Sequence, residues 1–352
     1  MGAYNRLSAK LVTLTCGRHL VRYRQCSLRT VCNEDVQLIM DCQVYCVGNA
    51  VADVLAKPVD HLAPRGTSQP LDDVALAPGG NSINTAIALA RLGVSVRLAA
   101  AVGDDRFGQF IRDRIRAEGI GVAGLVTLPG AKTSTSIVLV EASGERRFLH
   151  LRGVSALFSG RNLDWGQVKG SQIFHYASAF ALPAFDENSL APALQRAREL
   201  GCLTSMNICW DVQGKWLKTV QPALAHTDFI FPNREEGQQL TGESAPAAIA
   251  SRLRALGVQT VIVKLGAAGC YVDSPQGSFT SPGFAVQPMD TTGAGDGFAA
   301  GFLAAICRRQ SLPLAARQAN ATGALATLRL GGAESAPTKA QLEEFLRTHS
   351  KD

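Results

Sequence analysis

Residues 290–305 read DTTGAGDGFAAGFLAA, an acidic residue set inside a run of glycines that then turns strongly helical. With Asp290 to Thr292 ending a strand-like approach and a helix starting near Gly295, the amides of Gly293, Ala294 and Gly295 are expected to converge at a helix N-terminus. Such a terminus collects anions, because its first N–H groups lack intrahelical acceptors and the helix dipole is positive there. Glycine lets the backbone approach a phosphoryl oxygen within hydrogen-bonding range. A carboxylate repels an anion, so Asp296 is assigned to a neighbouring hydroxyl, whose proton it can accept. A general base beside an anion hole is what phosphoryl transfer to an alcohol requires. A competing reading is a dinucleotide fold, since Gly295, Gly297 and Ala300 fit GxGxxA. That fingerprint belongs after an early strand with an acidic residue about twenty positions on, whereas this one lies near the C-terminus and is followed there by RQANATG. No GxxxxGK[ST] occurs, which excludes a P-loop. A glycine-rich helix start with a purely structural role stays open.

The second informative stretch is PGGNSINTAIALARLG, residues 78–93. Gly79 and Gly80 allow the backbone to pass close to a ligand, and Asn81 and Asn84 both donate and accept, which suits a polyhydroxylated molecule. Alone, the stretch is equally an ordinary loop with an N-cap. With Asp53 of GNAVAD, just beyond the first strand, it becomes a candidate sugar cradle.

From Met40 onward the chain alternates strand-like runs (VYCVGNA, VRLAAAVG, SQIFHYAS, DFIFPN, TVIVKLG) with helical ones (SINTAIALARLG, FGQFIRDRIRAEG, LAPALQRARELG, AAIASRLRALG, GFAAGFLAAICRR). The alternation predicts an α/β fold with a mostly parallel sheet. Residues 55–77 read as irregular and polar, and residues 132–153 as a hairpin turning at Ser143 and Gly144. Together they are expected to form a small β-sheet flap, the alternative being an edge hairpin on the main sheet.

The whole chain has 352 residues, 46% hydrophobic and 18% charged, enough for a large core. Its best apolar stretch, GFAAGFLAAIC, is too short to span a membrane. The formal charge is +6, and residues 1–39, with six basic side chains against Glu34 and Asp35, carry +4 of it. The rest is near neutral, which removes the main support for nucleic-acid binding. Nine scattered cysteines without paired CxxC sets point to free thiols in a reducing compartment, hence the cytoplasm. Residues 1–39 are open between a non-native upstream extension, a targeting peptide and an ordered addition. A domain over 40–340 and a tail over 341–352 complete the expected organisation.

GGNSINTAIALARLG and DTTGAGDGFAAGFLAA resemble, in order and near the usual spacing, the two signature regions of the ribokinase-like (PfkB-type) carbohydrate kinases, nearest to hexose and sugar kinases of unassigned specificity. The likeness covers about residues 43–340. It implies a three-layer sandwich with a mostly parallel central sheet and a small β-sheet lid, ATP and Mg2+ as cofactors, and a homodimer formed through the lid. Asp296 matches the family's base, Gly293, Ala294 and Gly295 its anion hole, and Asp53, Gly80 and Asn84 acceptor-binding positions. In FPNREEG, Asn233 and Glu236 match the NxxE motif that helps place Mg2+, although NREE alone also reads as a solvated helix start. Lys264, Gly266 and Gly269 match the strand and turn beside the nucleotide, and Asn320 falls near the adenine. Asp290, Thr292, Ala326, Gly331 and Ser335 fall where some members hold K+; a loop-closing role for them is the alternative.

Two departures weaken ribose as substrate. SMNICWD (205–211) lacks an acidic segment common in sugar kinases, leaving Asp211 as a shifted carboxylate, and HYASAFALP lacks an acceptor-contacting glutamate. His175 in that segment reads as a core or pocket-wall histidine, and Trp210 and Trp216 as loop packing or core cover. The reading is an ATP-dependent sugar kinase; a nucleoside kinase of the same fold and a catalytically silent sugar-binding regulator are the alternatives.

Overall fold

The computed structural model describes residues 43–349, together with the antiparallel dipeptides Thr15–Cys16 and His19–Leu20. The expectation of an extension over residues 1–39 otherwise lies outside the described residues.

Strand-forming runs separated by amphipathic helices build a nine-stranded sheet. Its parallel part contains, in spatial order, β5 (Leu125–Leu128), β4 (Val96–Gly103), β1 (Val44–Val47), β8 (Ile173–Ala179), β9 (Leu203–Ile208), β10 (Phe229–Phe231) and β11 (Thr260–Lys264). An antiparallel hairpin, β12 (Cys270–Ser274) and β13 (Gly277–Ser281), closes the β11 edge.

Side chains alternate across a strand, and both faces of this sheet are covered. Val44 and Cys46 of β1 face one core with Leu98, Ala100 and Val102 of β4; Tyr45 and Val47 face the other with Ala99 and Ala101. On the first face lie α1 (Asn81–Arg91), α2 (Arg106–Ala117), α9 (Ala294–Cys307), α10 (Leu312–Ala326) and α11 (Lys339–Thr348). On the second lie α3 (Trp165–Val168), α4 (Pro183–Asn188), α5 (Leu190–Glu199), α6 (Leu217–Leu224), α7 (Arg234–Thr241) and α8 (Pro246–Ala255).

Helix α9 is buried almost all round, which is why its sequence lacks a polar stripe. Its small residues let α10 approach: a Cβ at Gly301 would meet Thr322 Oγ1 at 2.4 Å. Phe302 fills the space toward the sheet, 5.3 Å from Phe231 and 5.6 Å from Phe229 between ring centres. Full burial of such a ring contributes about 2–3 kcal/mol of transfer free energy.

A second sheet of four strands is formed by β3 (Asp73–Gly79), β2 (Val51–Lys57), β6 (Ser134–Val140) and β7 (Arg146–Leu151), in that order. The hairpin at 132–153 therefore belongs to this sheet and not to the edge of the large one. Asp53, beyond the first strand as expected, lies within β2. Two expectations change. Residues 55–57 and 73–77, expected to be irregular, pair antiparallel, with Lys57 opposite Asp73 and their charges 3.3 Å apart. Residues 341–348, expected as a tail, belong to α11, which Thr338 and Gln341 cap reciprocally and whose Leu342 is buried.

Candidate active site

The approach to the glycine run is not a strand: residues 282–291 are irregular, and Asp290 N–H bonds to Thr327 O at 3.1 Å. Gly293 turns the chain into α9 with φ 74°, and a Cβ there would meet Gly332 backbone at 2.8 Å, so any side chain would be strained twice over. The amide of Ala294, expected to point at an anion, closes a turn on Thr291 O at 3.2 Å. The N–H groups of Gly293, Gly295 and Asp296 have no intramolecular acceptor among the described residues.

Asp296 follows, buried and surrounded by amides. Oδ2 accepts from Asn84 Nδ2 at 2.9 Å; Oδ1 accepts from Asn207 Nδ2 at 3.1 Å and Asn81 Nδ2 at 3.2 Å. Burial pushes its carboxyl up to about 6, against the pull of the Asn84 and Asn81 amides and the Lys264 charge. The asparagines are placed in turn. Asn81 and Asn84 sit in the first turn of α1, where Asn49 Oδ1 accepts Asn81 N–H at 2.9 Å and Ser178 Oγ donates to Asn49 Oδ1 at 2.8 Å. Asn207 Oδ1 accepts from Lys264 Nζ at 3.0 Å. That ammonium also lies beside the anion hole, since a Cβ at Gly295 would stand 3.3 Å from it.

Sequence reasoning missed Asn207, because SMNICWD drew attention for the carboxylate it lacks. Asp211 instead caps its own loop, accepting N–H from Gln213 and Trp216 at 2.8 and 2.7 Å. His175 is fully buried, bonded through Nδ1 to Ser205 Oγ at 2.8 Å, and burial lowers it to about 3, as a core histidine requires.

On the small sheet the register places Asp53, Ser136 and His150 in one row of one face. Ser136 Oγ lies 3.0 Å from His150 Nδ1. Burial raises the Asp53 carboxyl to about 6, opposed by Ser136 and the Arg146 charge. Gly79 makes room for that carboxylate: a Cβ would stand 2.0 Å from Asp53 Oδ2. Gly80 caps α1 with its own Cβ position blocked by Asn49 O.

Asn233 and Glu236 form a reciprocal capping box at the start of α7. Asn233 N–H donates to Glu236 Oε2 and Glu236 N–H to Asn233 Oδ1, each at 2.7 Å. Glu236 is nevertheless buried, unlike a solvated helix start, and burial raises its carboxyl. Gly266 and Gly269 bound the turn between β11 and β12. Asn320 Nδ2 holds the loop after β13, donating to Ser281 O at 3.1 Å and Pro282 O at 3.0 Å.

The side-chain oxygens expected around K+ are engaged within the protein. Asp290 Oδ2 accepts from Arg146 Nη2 at 2.5 Å and Gly331 N–H at 2.7 Å, Oδ1 from Thr292 N–H at 2.9 Å, and Thr292 Oγ1 from Arg146 Nη1. Ser335 Oγ donates to Gly332 O at 3.1 Å, and Ala326 ends α10 beside this loop. These side-chain donors, taken up by a guanidinium and by backbone groups, do not fit a monovalent cation.

Comparison with known proteins follows the same lines. The profile of the pfkB family carbohydrate kinases matches residues 42–339. A fructokinase of Vibrio alginolyticus is 30% identical over 315 residues, covering 86% of this chain and 99% of the relative. Fructokinase-1 of Zea mays is 30% identical over 285 residues, covering 77% and 88%. Among solved structures, a putative ribokinase II of E. coli in complex with ATP and Mg2+ superposes with a TM-score of 0.77 at 24% identity, over 87% of this chain and 99% of its own. A fructokinase of Xylella fastidiosa with bound ATP gives 0.76 at 23%, over 89% and 100%.

Proposed function

The chain belongs to the pfkB family of carbohydrate kinases, and from that membership we propose that it moves the γ-phosphoryl group of ATP onto a hydroxyl of a hexose, with fructose as the leading acceptor. The acceptor hydroxyl is deprotonated by Asp296 as it attacks in line. The amides of Gly293, Gly295 and Asp296, with the Lys264 ammonium, receive the charge of the transferred group. Asn81, Asn84 and Asn207 hold the base in one orientation and, by donating to its charged form, limit how far burial raises it.

The observation that carries this reading is a buried carboxylate wrapped by three amides directly beside open helix N-terminal N–H groups. ATP as donor is supported by the two structural relatives that bind it. Mg2+ would be held mainly by the phosphates, with Glu236 and Asn233 nearby. Glu236 keeps one carboxylate oxygen outside the capping box, a sparse donor set that suits an ion retaining its waters. When bound, that ion neutralises phosphate charge. No monovalent cation belongs to this reading.

Acceptor recognition is assigned to Asp53 and the Ser136–His150 row, three polar groups that suit adjacent hydroxyls. Gly79, Gly80 and Asn84 shape the same wall, and Gly266, Gly269 and Asn320 the nucleotide side. The small sheet is read as a lid that keeps water from the phosphoryl group. Its far face is read as the contact with a second copy. Five free cysteines among the described residues support a reducing, cytoplasmic setting.

A nucleoside acceptor has one observation in its favour, the exposed ring of Phe148 on the same face as Asp53. Coupled ADP release over ketoses, aldoses, sugar acids and nucleosides decides between them. Fructose is expected to give the highest kcat/KM. A nucleoside preferred over every sugar would overturn the acceptor assignment.

A further inference from the structure

We propose that Arg146 is the built-in cation of the anion-hole loop, so that phosphoryl transfer requires no monovalent cation and depends on the small sheet being seated. The proposal rests on the reading of Gly293 to Asp296 as the phosphoryl site.

Arg146 opens β7 opposite Val140 of β6, on the face that also carries Asp53 and His150. Its guanidinium crosses to the irregular segment before α9 and forks over two oxygens, Asp290 Oδ2 at 2.5 Å and Thr292 Oγ1. The pair is buried, with side-chain exposures of 11% for Arg146 and 4% for Asp290. The two amide bonds from Thr292 and Gly331 complete the hydrogen bonding of the carboxylate, and with Arg146 they hold it below the usual carboxylate range despite its burial.

A spherical cation needs several oxygens aimed at one point, whereas Asp290 and Thr292 are aimed at a planar fork. Guanidinium keeps its charge at every accessible pH, and Thr292 directly precedes Gly293. The fork therefore neutralises the buried Asp290 carboxylate three residues before Gly293 and fixes the backbone that presents the anion-hole amides. Because the charge arrives on a β7 side chain, displacing the small sheet withdraws it. Lid position and the electrostatics of the phosphoryl site become one variable.

The test is steady-state kinetics in chloride salts of K+, Na+ and tetramethylammonium at equal ionic strength. The wild-type kcat and KM for ATP are expected to agree within about twofold across the three. Arg146→Ala is expected to raise KM for ATP and lower kcat by about tenfold or more, with K+ restoring part of the loss. Arg146→Lys is expected to keep more turnover than the alanine variant and to stay indifferent to K+. As a readout apart from turnover, a non-hydrolysable ATP analogue should shift the wild-type melting temperature equally in K+ and tetramethylammonium.

Strong K+ activation of the wild type, or unchanged ATP kinetics in Arg146→Ala, would overturn the proposal. Should Arg146→Ala not fold, the wild-type salt series and Arg146→Lys still decide it. An enzyme silenced by Asp296→Asn yet dependent on K+ refutes the arginine alone, whereas an active Asp296→Asn refutes the phosphoryl site itself.

Discussion

Asp296 and Asp53 are buried carboxylates with raised pKa values, and the proposed reaction gives one the proton and the other the acceptor hydroxyls. Asp296 must be ionised to take a proton, and Asp53 must be ionised to bind hydroxyls by charge-assisted bonds; burial pushes each up to about 6. Both are therefore competent above that pH and lose function as it falls. The logarithm of kcat/KM for the sugar, which reports the free enzyme, is expected to fall below about pH 6 with a slope approaching two. In Asp53→Asn the slope should drop to about one, because only the base remains to titrate. A profile flat down to pH 4.5 would contradict both assignments. The place of Asp296 in the first turn of a glycine-opened helix was legible in the sequence. Asn207 and Arg146 were not: each acquires its role from a partner distant in sequence, Asp296 for the first and Asp290 for the second. Nothing in the local sequence records either meeting.

Elements were legible where one periodicity dominated. VRLAAAVG coincides with β4, and the starts of α1 and α9 lie within three residues of where the glycines and asparagines put them. The small sheet was half legible. Its hairpin alternates cleanly, but β3, with Ala75, Ala77 and Pro78, has weak strand propensity and is recruited by pairing with β2. The same register creates a row on the sheet's far face, Leu76, Val54, Ile137 and Leu149, opposite to the Asp53 row. Ile137 is 43% exposed and Leu149 59%, with Leu151 also exposed beside them. An apolar stripe on a two-sided sheet is an interface feature. Sedimentation equilibrium at micromolar concentration is expected to give a dimer, and Ile137→Lys with Leu149→Lys a folded monomer. A double variant with undiminished dimer mass would place the contact elsewhere.

Across the whole kinase unit, the parallel sheet brings β2 after β1, Asn207 from β9 and Lys264 from β11 to one place, and α9 delivers Asp296 to it. Ligand sites outside the carboxyl ends of parallel strands are the rule in such sheets. The order of the two signature stretches made this much readable in advance and their resemblance implied a small-sheet lid, while the register that aligns Asp53, Ser136 and His150 needed three dimensions. In the proposed reaction Asp296 takes the proton and the neighbouring amides take the phosphoryl group. Wild type and Asp296→Asn are compared for fructose-dependent ADP release and, in parallel, for ATP binding by calorimetry. Asp296→Asn is expected to lose turnover by about 10²- to 10⁴-fold with the ATP dissociation constant nearly unchanged. Retention of most of the activity by Asp296→Asn would contradict the role of Asp296 as the base.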